Sequence, residues 1–245
     1  MISKFRLSST CRGLRNLLGR TERVPRQRAH DHFGSDNRQF QALADPNKIV
    51  WIRPGTVKCK MTGSKEFKSS LDGVISGNWD LETRQIETSL KFRAIIDHYS
   101  DGIQWHETDL FTQYALRLNR GELVRGCRSI DELKVSYEIE VEELYSSLRA
   151  NGFLLPPENL KLEKFVPHVH IDRQGRFLFG NAGNHRFAMA VLLKIERIPC
   201  IVRARHIEWQ EVRERVHDVQ ATGETKMLGE HLIEHPDLAD ILDKR

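Results

Sequence analysis

Gly183-Asn184-His185-Arg186 is the stretch of this chain whose residue types and spacing point most directly to chemistry. It follows Phe177-Leu178-Phe179-Gly180-Asn181-Ala182 and precedes Phe187-Ala188-Met189-Ala190. An apolar strand that runs through a glycine turn into an apolar helix leaves backbone N–H groups and the positive end of a helix dipole facing one spot, which is the layout of an anion site. Asn184 is of the type that caps such a helix. Arg186 adds a planar fork of donors suited to phosphate oxygens. The chemistry expected of Gly183, Asn184, His185 and Arg186 is therefore the cradling of phosphate groups.

Two acids and further histidines are candidates for work beside that cradle. Asp80 ends the Gly77-Asn78-Trp79-Asp80 loop, where a general base or a Mg²⁺ ligand is readily placed. Trp79 next to it would stack on a base or sugar, or else plug the core. Glu142 and Glu143 lie on a helix, and phosphoryl transfer needs such a carboxylate to orient or deprotonate the acceptor hydroxyl. A solvated acidic face is the competing reading for them. The expected catalytic set is Asp80, Glu142 and His185. His168 and His170, two apart on a strand, share a face and with His185 or His206 would make metal ligands. Hydrogen-bonded histidines beside a sheet are the plainer reading, and no metal site is assigned. Arg203 and Arg205 fall on one face of the last strand, from which one or both would reach a phosphate pocket.

The elements that must position these residues follow from periodicity. Ile49–Ile52 reads as a buried strand stopped by Arg53-Pro54-Gly55, and Val57–Met61 as a half-exposed one. Helices are expected over Ile86–His98 and Thr108–Leu118. A longer helix over Ile130–Ala150 opens on a Ser129/Glu132 capping box, closes before Gly152, and carries an apolar stripe through Leu133, Tyr137, Val141, Leu144 and Leu148. Val166–Asp172 and Arg176–Gly180 form a β-hairpin. A helix over Asn184–Lys194, a strand over Ile198–Arg205 and two helices over Ile207–Gln220 and Lys226–Asp243 complete the chain. The expected class is α+β: a small mixed sheet with packed helices, a largely helical insertion at about 65–128, and a helical C-terminal extension over 207–245.

Composition bounds the alternatives. With 245 residues, 39% hydrophobic and 29% charged, the chain has room for one good core with extensions. No apolar run approaches the roughly 18 residues of a membrane span. Cys11, Cys59, Cys127 and Cys200 are widely spaced, which argues against a zinc knuckle or a disulfide scaffold and suits a reducing cytoplasm. The net charge of +4 is uneven: residues 1–30 hold eight basic side chains against Glu22 alone, so the remainder is slightly acidic. Residues 1–45 read as a basic arm, with a possible amphipathic helix over Phe5–Leu18 that would contact nucleic acid or an anionic membrane.

Two ordered segments resemble the ParB/sulfiredoxin superfamily. Val141-Glu142-Glu143-Leu144-Tyr145-Ser146-Ser147-Leu148 through Gly152 is similar to its "eLa-SI-xx-G" helix, and Gly183–Ala190 through Ile198-Pro199-Cys200-Ile201-Val202 to its "GxxR-xxAA…IPviv" element. The resemblance covers about residues 48–60 and 130–206, within a domain of residues 46–206. It implies nucleotide phosphates on Gly183 and Arg186. ATP or another NTP with Mg²⁺ is then the expected cofactor, and an ATP-dependent phosphotransferase or NTPase acting on a small molecule the expected activity. Its serine-kinase members place an acid on the Glu142 helix. Asn184 stands where sulfiredoxins keep their cysteine nucleophile and partition proteins a glutamate, so neither chemistry carries over. Only about 40 residues follow Arg205, too few for the DNA-binding domain of partition proteins. A non-catalytic nucleotide-binding or regulatory module is the alternative expectation, and a ParB-like nuclease a weaker one.

Overall fold

Ile198–His206 forms the longest strand and organises the sheet around it. The computed structural model describes residues 40–62, 72–157, 162, 165–180 and 182–242. Most of the basic arm, with the Phe5–Leu18 helix, lies outside the described residues. The strands are β1 (Ile49–Ile52), β2 (Cys59–Met61), β3 (Gly73–Ile75), β4 (Thr83–Gln85), β5 (His168–Ile171), β6 (Phe177–Phe179) and β7 (Ile198–His206). They make one mixed seven-stranded sheet in the order β1-β7-β5-β6-β2-β4, with β3 also paired to β7. β7 runs antiparallel to β1 but parallel to β5 and β3. The protein is α+β.

Helices α1 (Leu90–Asp101), α2 (Asp109–Asn119), α3 (Ile130–Ser136), α4 (Glu142–Asn151), α5 (Asn184–Leu192) and α6 (Ile207–Thr222) are followed by the short α7 (Glu230–Ile233) and α8 (Ala239–Leu242). α1 and α4 both pack against α5, whose Phe187, Ala188, Met189 and Ala190 are fully buried. Small and large apolar residues in succession let α5 lie close to the sheet on one side and to α1 and α4 on the other. None of the described helices is long and apolar enough to cross a membrane.

Several local expectations change. The residues expected to form a largely helical insertion also supply β3 and β4, which join the central sheet. The Gly73–Asp80 loop is therefore a strand followed by a 3₁₀ turn over Trp79–Leu81. The long helix exists but is α3 and α4 joined by a π-helical turn over Tyr137–Val141. The extra residue lets Tyr137 and Val141 both stay buried on the stripe. In the tail, the single helix expected over Lys226–Asp243 is two short helices, because Pro236 cannot continue the first of them.

The tail is held by charge as well as packing. Arg205 Nη2 and Nε bond the Asp237 carboxylate, and Trp209 Nε1 donates to it at 3.0 Å. Arg213, fully buried, reaches Asp237 and Asp240. Asp237 is buried, which pushes its pKa up, yet the Arg205 and Arg213 guanidiniums and the Trp209 donor hold it down at about 2. Arg205 is thus a clamp for the C-terminal extension, and Arg203 pairs with Asp72 at 3.3 Å. Neither takes the place in a phosphate pocket that strand alternation allowed it.

Candidate functional site

The β5–β6 hairpin separates the expected site residues to its two ends. At the turn end, Asp172 accepts from the Gln174 and Arg176 N–H groups at 2.9 and 2.8 Å, an Asx-type turn that fixes the hairpin. Arg173 leaves this turn and meets Asp80: its Nη2 and Nε donate at 2.7 and 2.8 Å, and its own backbone N–H at 3.1 Å. The same guanidinium donates to Gly77 O and to Asn78 Oδ1. Burial pushes the Asp80 pKa up, but the bonds from Arg173 outweigh it and hold the carboxyl below the usual range. Asp80 is a clamp on its own loop rather than a free base or metal ligand. Trp79 lies between the His170 and His206 rings and donates to Ile75 O, so it plugs the core.

The other end of the hairpin delivers α5. Gly180 N–H donates to His168 O at 2.8 Å, and the chain turns at Gly183 with φ 76°. A Cβ at Gly183 would stand 2.7 Å from Pro167 Cα, so glycine is required both by its dihedral and by the close approach. Gly183, not Asn184, is the N-cap, and Asn184 is the first helical residue. The first helical bond is Phe187 N–H to Gly183 O, which leaves the His185 and Arg186 N–H groups ahead of it at the helix mouth.

His185 sits in that mouth and shares a 3.0 Å hydrogen bond, through Nε2, with the Tyr137 hydroxyl. Burial, then the charges of Arg125, Lys91 and Arg186, push its pKa down to about 3. The imidazole is therefore neutral, and three cations stand within electrostatic reach of it. Arg186 is half-buried, with its guanidinium 5.7 Å from the Phe165 ring centroid. Burial and then Arg125 lower its pKa. Lys91, in the first turn of α1, is lowered by burial, then by Arg125 and Arg117. Arg125 projects from a tight turn in which it and Gly126 have φ of 55° and 85°, a conformation rarely adopted by a side-chain-bearing residue. It lies 5.1 Å from the Tyr137 ring centroid and pairs with Glu140 at 3.1 Å. Tyr137 and Glu140 both come from the π turn, which thus orients His185 on one side and Arg125 on the other.

Among the described residues, Glu140 is the one acid that ion-pairs with any of these three cations. Glu142 does not supply another. Its Oε1 accepts from Trp105 Nε1 at 3.0 Å and bonds His98 Nε2 at 2.9 Å, with the His98 ring stacked on Trp105. It closes an aromatic cluster that braces α1 against α4 and is engaged there, not at the cradle. The histidines are also held apart: His206 bonds Gly77 O, His170 lies buried beside Trp79, and His185 bonds Tyr137. No three His, Cys, Asp or Glu side chains among the described residues group as a metal site.

The sequence reading put Gly183, Asn184, His185 and Arg186 together, and the structure keeps them so. It separates Asp80 and Glu142 from them. Lys91, Arg125 and Tyr137 were missed: Lys91 is an ordinary helix lysine in the sequence, and Tyr137 reads as core. Only Arg125-Gly126 carried a local signal, a turn dipeptide with an exposed cation. The fold and site together define an α+β protein with a cationic helix mouth. The chain matches no protein family, no curated protein and no solved structure.

Proposed function

We propose that the protein binds the phosphate groups of a small molecule at the mouth of α5, a nucleotide being the ligand that the superfamily resemblance implies. The observation that carries this reading is the surplus of charge: Lys91, Arg125 and Arg186 gather around a neutral His185, and one described acid pairs with them. Partly buried like charges repel one another and lose solvation, a cost that an anion would remove. Arg186 supplies a bidentate fork, Lys91 a point charge, and the N–H groups of His185 and Arg186 the helix-end donors. These groups fit the phosphates of ATP or another NTP. They do not fit Mg²⁺, which asks for carboxylate oxygens, since Asp80 and Glu142 are already held by Arg173 and by His98 and Trp105. The same two engagements favour a binding module over a phosphotransferase, because the acceptor hydroxyl is left without either acid.

The test is a thermal-shift and calorimetry panel of inorganic phosphate, ATP, ADP, CTP and GTP, with and without Mg²⁺, on the full chain. Binding to the native state raises its stability by linkage. Phosphate-bearing ligands are expected to raise the melting temperature of the wild type and not of Arg186→Gln. Unchanged melting across the panel, or equal affinity in Arg186→Gln, overturns the reading.

A further inference from the structure

His206 and His235 repeat one hydrogen-bond pattern at the turn end of the β5–β6 hairpin. His206 Nδ1 accepts from the Glu208 N–H at 3.2 Å, and its Nε2 donates to Gly77 O at 2.7 Å. His235 Nδ1 accepts from the Asp237 N–H at 3.2 Å, and its Nε2 donates to Gly175 O at 2.9 Å. A carbonyl only accepts and an N–H only donates, so both rings are held in the tautomer with the proton on Nε2. A second proton, on Nδ1, would set one donor against another. The charges nearby then separate the two rings. His206 has Glu208 Oε1 4.0 Å from Nδ1 and Asp80 Oδ1 3.9 Å from Nε2, so a carboxylate stands beside each nitrogen. The charged groups that face His235 are Asp237 in its own segment, Arg213 from α6 and Arg205 from β7. The Asp237 carboxylate is already shared by both guanidiniums and the Trp209 N–H. Protonated His235 would be a third cation on that one carboxylate.

We propose that His235 is a proton-operated latch: the neutral ring ties the C-terminal extension to the hairpin turn, and its protonation opens the 228–242 segment while the rest of the fold holds. The tie is made by the bond to Gly175 O and by ring contacts, with Phe177 of β6 stacked at 5.2 Å and Trp209 of α6 at 4.5 Å. Gly175 fits this contact because a Cβ there would stand 2.4 Å from the indole. Burial lowers the His235 pKa, the Gly175 bond and Asp237 oppose the shift, Arg213 and Arg205 add to it, and the net direction is downward. In the open segment the ring titrates near 6.5. Proton uptake therefore favours the open form as pH falls below that value. Asp237, held at about 2, keeps its charge through this range, so the ties to Arg205 and Arg213 are not what changes.

The experiment is hydrogen exchange read by mass spectrometry on the full chain at pH 7, 6 and 5, corrected for the intrinsic pH dependence of exchange. Peptides covering 228–242 are compared with those covering α5. In the wild type the opening of 228–242 should rise roughly five- to twentyfold between pH 7 and 5, with α5 unchanged. His235→Gln keeps a donor for Gly175 O but cannot titrate, so its segment should be less protected at pH 7 and show no such rise. His206→Gln, at the ring flanked by carboxylates, should retain the wild-type rise. The wild type alone can overturn the latch, either by unchanged protection of 228–242 or by a parallel loss in α5. A rise that persists in His235→Gln, or one that disappears in His206→Gln, overturns it as well.

Discussion

Arg173 and Arg186 stand at opposite ends of one hairpin–helix unit, and their surroundings differ in kind. Arg173 meets a carboxylate, a carbonyl and an amide oxygen, so its donors are met by the protein. Arg186 meets an aromatic ring and is pressed by Arg125, and no described acid ion-pairs with it. The tail network is of the first kind, with Arg205 and Arg213 shared between Asp237 and Asp240. Cations matched by buried acids hold segments of chain together. Cations gathered with only one described acid among them repel one another and lose solvation, a local cost that the proposed phosphate would remove.

The largest effect should come from unmatching the matched kind. Asp237→Ala leaves Arg205 and the fully buried Arg213 without their shared carboxylate. Removal of one partner from a buried ion pair costs about 3–5 kcal/mol, so denaturant unfolding should show a loss of that order. A loss below about 1 kcal/mol, the range of exposed pairs, would break the contrast by showing that the network contributes little.

Arg186→Gln should behave in the opposite way. Stability should hold or rise, because a crowded, half-buried cation is removed. Phosphate affinity should fall by about 1.5–3 kcal/mol, the range for hydrogen bonds to charged groups. Arg173→Gln is the mirror variant: it should lower the melting temperature and leave phosphate affinity unchanged. If Arg186→Gln unfolds the protein and Arg173→Gln spares it, the assignment of the two ends is reversed.

Gly183→Ala tests the turn that aims the helix mouth. Alanine there must hold φ near 76° with its Cβ against Pro167, so the turn must shift. A strained left-handed residue costs on the order of 1–3 kcal/mol, and the shift should also weaken phosphate binding as the N–H groups turn away. Ala at Gly77, where φ is 91° but open space surrounds the position, separates dihedral strain from the clash. It should destabilise less and leave phosphate binding alone.

Periodicity and turn chemistry made most of the frame legible in the sequence: the hairpin, α5, β7 and the Ser129-capped helix are all local patterns. β3 and β4 were not, because Gly73-Val74-Ile75 and Thr83-Arg84-Gln85, unlike β2 and β6, sit in no longer run of alternating or apolar residues. Their partners, on β7 and β2, lie far along the chain or gain meaning only once the sheet exists. The same holds for the site. The glycine turn and Arg186 are contiguous in sequence and were found together. Lys91 and Arg125 arrive from segments some 95 and 60 residues earlier, and apart from the Arg125-Gly126 turn dipeptide nothing local distinguishes them from surface cations. Asp80 and Glu142 looked catalytic by type and loop or helix position. Only the folded chain shows Arg173 waiting for one and the His98–Trp105 stack for the other.

The last effect is a slope with pH, whose small phosphate-sensitive part reports on the two ends separately. His185 and His170 are both held neutral, with pKa values of about 3. An unfolded histidine titrates near 6.5, so between about pH 6.5 and 3 the unfolded chain binds more protons and stability falls as pH falls. Asp237 adds its own loss only below its ordinary 3.8, as pH falls toward about 2. Unfolding free energy measured from pH 7 to 5 should therefore decline chiefly through the histidines, His235 included, whose pKa burial also lowers. Saturating phosphate should flatten part of that decline, because an anion at the α5 mouth favours the protonated form of His185 and raises its folded pKa. His170, buried beside Trp79 with its Nδ1 unpartnered among the described residues, should keep its share of the slope with or without phosphate. His185→Gln should lose the phosphate-sensitive part and retain the rest. An identical slope with and without bound phosphate would mean that the anion does not sit where His185 feels it.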